Sequence, residues 1–164
     1  MNTTAYAAGN TPHFFDTVEV NGSSGVSVYL MGISSDPNFG KIILEVNGSV
    51  VASSTETTYW GNFAAAAWHH IALVKENTGS GVWEINVYYD GNLAVTYQTL
   101  IDVNMASVGL GGTEPSVAAK AFIGHIDDWI ISKLDEYEST FATPLVKFPL
   151  SHERSDMVAV KIDK

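Results

Sequence analysis

The sequence contains no cysteine, which excludes a disulfide scaffold and thiol chemistry. It leaves the compartment open, because a large β core needs no covalent staple. Charge is scarce and one-sided: charged residues make up 16% of the chain, with 18 acidic against 8 basic side chains and a formal net charge of −10. That field repels phosphate backbones and anionic lipid, so nucleic acid is not an expected partner. No run approaches the ~20 apolar residues of a membrane helix, and membrane insertion is not expected. The opening Met1-Asn2-Thr3-Thr4-Ala5-Tyr6 lacks the basic and apolar regions of a secretory signal. The expectation is either a protein made without that export route or a piece of a longer exported one. Internal repeats and low-complexity tracts are also missing.

What is present points to strands. Hydrophobic residues reach 46% of 164, and Gly, Ser, Thr, Val and aromatics take the place of the Ala, Glu, Lys and Leu of a helical protein, so an all-β fold is expected. The length suits one domain with a full core. Residues 1–12 are small, polar and aperiodic and read as an extended lead or linker; residues 13–164 read as a single domain. Within it, alternation predicts strands over residues 14–20, 26–31, 42–46, 50–54, 68–74, 83–89, 93–100 and 108–112. Asn47-Gly48 is the clearest two-residue hairpin signal. Over 83–89, Trp83, Ile85, Val87 and Tyr89 share one face, with Glu84, Asn86 and Tyr88 on the other. Residues 122–131 carry apolar groups on both faces, as a central strand would. Residues 132–141 could hold a helical turn.

Two motifs carry a family resemblance. The first is Trp68-His69-His70-Ile71-Ala72-Leu73-Val74, a polar turn over 75–81, and then Val87-Tyr88-Tyr89-Asp90-Gly91-Asn92-Leu93. The second is Phe122-Ile123-Gly124-His125-Ile126-Asp127-Asp128-Trp129-Ile130-Ile131. Together they resemble the laminin-G-like, pentraxin-like branch of the concanavalin A-type jelly rolls, over residues 14–134. The resemblance implies an antiparallel two-sheet β-sandwich of jelly-roll type, acting in recognition or adhesion. Members of this family carry an early strand that residues 1–11 match poorly, and they finish near the second motif. Here residues 144–164 follow, with an alternating stretch over 157–162. That stretch either fills the missing strand position as an extra C-terminal strand, or marks a domain cut from a longer chain.

The chemistry favours binding over catalysis. Glycosidases of this superfamily use a Glu-x-Asp-x-x-Glu strand that brings two carboxylates to the ~5 Å separation of retaining hydrolysis. No such run occurs, and no enzymatic activity is expected. Asp127 and Asp128 sit among apolar neighbours, so each must be hydrogen-bonded or on a metal. The resemblance allows a structural Ca2+ there, with carboxylate oxygens suited to a hard cation; no other cofactor is required. His69 and His70 are adjacent on a strand and diverge, so they make no zinc pair and read as structural. Of three Asn-x-Ser/Thr matches, Asn21-Gly22-Ser23 and Asn47-Gly48-Ser49 are Asn-Gly turns, and glycosylation is not expected. In a predicted loop, Tyr59, Trp60 and Asn62 combine ring faces with a directed amide, which suits a sugar ring or a protein surface. Their rival role is to fold back and close the end of the sandwich. Glu114 and Ser116 mark a second candidate loop.

The expected function is a non-catalytic recognition or adhesion module, binding carbohydrate or a protein surface and displayed outside the cell or on a virion. The alternative is a virion structural protein, a phage capsid decoration or tail accessory working by assembly, as a homo-oligomer or in a larger particle.

Overall fold

The computed structural model describes residues 2–3, 10–17, 25–59, 61, 67–103, 109–111, 122, 124–126, 130–131 and 158–159. Twelve strands occur among them: β1 (Asn2–Thr3), β2 (His13–Asp16), β3 (Val26–Leu30), β4 (Ile42–Val46), β5 (Ser49–Ser53), β6 (Ile71–Asn77), β7 (Trp83–Tyr89), β8 (Asn92–Thr99), β9 (Gly109–Leu110), β10 (Gly124–His125), β11 (Ile130–Ile131) and β12 (Val158–Ala159). They form two antiparallel main sheets, one in the order β5-β4-β3-β2-β9 and one in the order β6-β7-β8, with two-stranded pairings β1-β10 and β11-β12.

Local turn chemistry sets both registers. Asn47 (φ 50) and Gly48 (φ 75) take the left-handed conformations of a type I′ turn, whose twist matches the flanking strands, and so tie β4 to β5. Asp90 (φ 47) and Gly91 (φ 80) do the same between β7 and β8. Between β6 and β7 the chain turns more loosely, closed by the Thr78 N–H donating to the Val82 carbonyl at 2.9 Å.

Alternation then supplies the core. Val26, Val28 and Leu30 of β3 and Ile42, Leu44 and Val46 of β4 face Ile85, Val87 and Tyr89 of β7 and Val95 of β8 in one buried cluster. Two sheets packed face to face in this way make a β-sandwich, and each fully buried aliphatic side chain contributes roughly 1.5–3 kcal/mol relative to exposure. A bulge between His13 and Phe15 turns both Phe14 and Phe15 toward this cluster.

The opposite face of the five-stranded sheet is buried as well. His13 stacks on Tyr29 with ring centroids 4.8 Å apart, Tyr29, Met31 and Ile43 cluster, and the buried Ser27 hydroxyl donates to Asp16 Oδ1 at 3.1 Å. Burial, followed by the charges of Glu45 and Asp36, pushes the Tyr29 phenol up to about 12.

Two features differ from the sequence reading, and a third adds depth to it. Among the described residues of 122–131, β10 and β11 are two residues each and pair with β1 and β12 respectively, and Ile126 lies in neither. Asn2–Thr3, in the lead, pairs with Gly124–His125. Trp83 shares the inward face of β7 but is only half-buried; it lies at the end of the strand, where Lys75 Nζ stands 4.4 Å from its ring centroid.

Candidate functional site

The register of β6 against β7 pairs Ile71 with Tyr89, which brings His70 and Asp90 together just beyond the ladder. The His70 N–H donates to Asp90 Oδ1 at 2.8 Å, and the Asp90 N–H donates to the His70 carbonyl at 2.8 Å. The other carboxylate oxygen, Oδ2, lies 2.8 Å from His69 Nδ1. A carboxylate only accepts, so Nδ1 carries the hydrogen of this pair, and the Tyr89 hydroxyl oxygen shares it from 2.7 Å. The ring is thereby held in one tautomer, with Nε2 directed away from Asp90.

Aromatic packing fixes the pair from beneath. His69 stacks on Tyr89 at 5.0 Å, and Tyr59 meets Tyr89 edge-on at 4.8 Å. Burial, then the charges of Glu56 and Asp90, raises the Tyr59 phenol above its ordinary value. Burial lowers His70 below the usual histidine value against the opposing pull of Asp90, which favours its neutral form.

The rim of this cluster is open. Trp68, next in the chain to His69, is 56% exposed, the Asp90 side chain is 36% exposed, and Asn92 is exposed with its amide donating to the Asp90 carbonyl at 3.2 Å. The end of the three-stranded sheet thus offers one aromatic face beside a fixed carboxylate and an amide.

Of the residues predicted from the sequence, Tyr59 belongs to the buried core; the loop position that left it without a packing role is corrected by its contact with Tyr89. Trp60, Asn62, Glu114, Ser116, Asp127 and Asp128 lie outside the described residues. Among the described residues no group of three or more His, Asp or Glu side chains is arranged to hold a metal ion, and no helix is long and apolar enough to cross a membrane. The sequence reading missed Trp68, Asp90 and Asn92. The signal was the Asp-Gly turn read together with the strand pairing, which sets His70 opposite Asp90.

A second polar cluster, His13, Asp16 and Ser27, contains the residue types of a nucleophilic relay in the wrong order. Ser27 donates directly to Asp16, while His13 Nδ1 stands 3.5 Å from the same carboxylate. A relay needs the histidine between the other two, and all three residues are buried.

No family model, curated protein or solved structure matches the chain.

Proposed function

We propose that this chain is a non-catalytic carbohydrate-recognition module on a jelly-roll sandwich of the laminin-G-like type, and that it binds sugar at the Trp68–Asp90 end of the three-stranded sheet. The observation that carries the reading is the exposed Trp68 indole placed one residue from a His69–Asp90 pair that is already locked. Pyranose rings present an apolar face and a rim of hydroxyls. An indole stacks on the first, and a fixed carboxylate and amide accept from and donate to the second. Pre-fixed polar groups lose little freedom on binding, which is where affinity for small ligands is otherwise spent. The sandwich resemblance and the β6–β8 meander support the same assignment.

The test is a glycan array, run with and without calcium, comparing the wild-type chain with Trp68→Ala. The expected result is a defined set of glycans bound by the wild type and lost in Trp68→Ala, with the melting temperature unchanged because an exposed side chain has little packing to lose. A wild-type protein that binds nothing, or a Trp68→Ala protein that binds equally well, contradicts the proposal.

A further inference from the structure

Sheet edges present unpaired backbone N–H and C=O groups that can template another strand, and natural sheets blunt them with charge, proline, shortness or cover. The edges of the two main sheets are treated unequally here. β6 carries Lys75 and Glu76, with Lys75 turned in toward Trp83. β9 is two residues long and is followed by Phe122, whose N–H donates to the Gly111 carbonyl at 3.0 Å.

Among the described residues β8 and β5 have neither device. Asn92–Thr99 and Ser49–Ser53 contain no charged residue and no proline, and β8 is eight residues long and pairs with β7 alone among the described residues. Both strands lie on one flank, because β8 meets β5 across the sandwich. Exposed large hydrophobics gather there: Val50 on β5, Leu93 at the start of β8, and Leu100 (80% exposed) and Ile101 (65%) just after its end.

That exposure belongs to a fixed backbone. The Ile101 N–H donates to Thr99 Oγ1 at 3.1 Å, and Lys75 Nζ, bound to the Asp102 carboxylate, also donates to the Val103 carbonyl at 2.7 Å. The buried Val103 side chain anchors the segment to the core.

We infer that β8 pairs antiparallel with β8 of a second copy of this chain across a two-fold axis, joining the two three-stranded sheets into one. Antiparallel pairing sets the start of one strand against the end of the other, so Leu93 of each copy meets the Leu100–Ile101 pair of its mate, twice by symmetry. An uncharged strand is also where two molecules of net charge −10 approach with least repulsion.

The experiment is size-exclusion chromatography with light scattering on the full chain over a concentration series, for the wild type, Thr96→Lys and Leu100→Lys. Both positions are exposed, and circular dichroism checks that each variant keeps its strand content. The expected result is a wild-type dimer whose mass halves in both variants, since Thr96→Lys sets two ammonium groups beside the two-fold axis and Leu100→Lys sets one against Leu93 at each end of the seam. A wild type that stays monomeric at every concentration overturns the inference, including one that takes up an unrelated extended peptide instead. So does a dimer that survives both substitutions.

Discussion

Replacing Asp90 separates the roles that converge on it. In Asp90→Ala the turn holds alanine at the φ of +47° that Asp90 adopts; both residues carry the same Cβ, so the loss there is only the local hydrogen bonding that lets Asp tolerate this region. The His70 N–H loses the acceptor at 2.8 Å, worth roughly 1–3 kcal/mol for a group left unsatisfied and at the lower end here, since Asp90 is partly open to water. The hydrogen bond from His69 Nδ1 adds at most ~1 kcal/mol for the same reason. The sum is about 1–3 kcal/mol. Asp90→Asn keeps a residue that tolerates the left-handed conformation and keeps one carbonyl oxygen for the His70 N–H, so its cost falls to about 1 kcal/mol. Urea unfolding of the three proteins at constant m-value measures both differences. Equal costs for Ala and Asn, or an Asp90→Ala change below about 1 kcal/mol, would refute the view that this turn is locked through its carboxylate.

Gly40 sits at φ +82°, and a Cβ there would stand 2.0 Å from the Thr57 carbonyl oxygen; Gly40→Ala is expected to cost at least ~2 kcal/mol in urea unfolding, and a neutral change would contradict that close approach. Tyr29, with its phenol raised to about 12, keeps its stabilising contribution below the unfolded value near 10 and loses it as pH rises from there through the folded value. Tyr29→Phe should therefore unfold less steeply than wild type over that alkaline range, and identical slopes would contradict the burial of the phenol. Trp83→Ala should cost ~1–2.5 kcal/mol, below the ~3–5 kcal/mol of a fully buried aromatic, because the ring is half-buried beneath Lys75; a loss above that range would place Trp83 deep in the core.

The parts of the fold that depend on neighbouring residues were legible in the sequence. Ile42–Val46 and Trp83–Tyr89 carry their strands at the bounds alternation predicts, and the Asn47-Gly48 dipeptide makes the expected turn. Pairing between distant segments was not legible, since nothing in Asn2-Thr3 or Val158-Ala159 names Gly124–His125 or Ile130–Ile131 as its mate. Depth was equally hidden: alternation tells which face Trp83 occupies, and only the extent of the opposing sheet tells how far the core reaches beneath it. The candidate site falls between these cases. Trp68, His69, His70 and Asp90 all stand within the motifs read from the sequence, yet their meeting depends on the register of β6 against β7. Tyr59 lies in a stretch without alternation, so its packing on Tyr89 had no periodic signal to announce it.

The location of sugar binding is tested most directly by nuclear magnetic resonance titration of the isotope-labelled chain with the glycan that the array selects. The account predicts that the Trp68 indole N–H and the backbone amides of residues 68–70 and 90–93 shift in a saturable way, while the amides of β3, buried on both faces, stay in place. Saturable shifts confined to other residues, with the Trp68 indole unmoved, would contradict it.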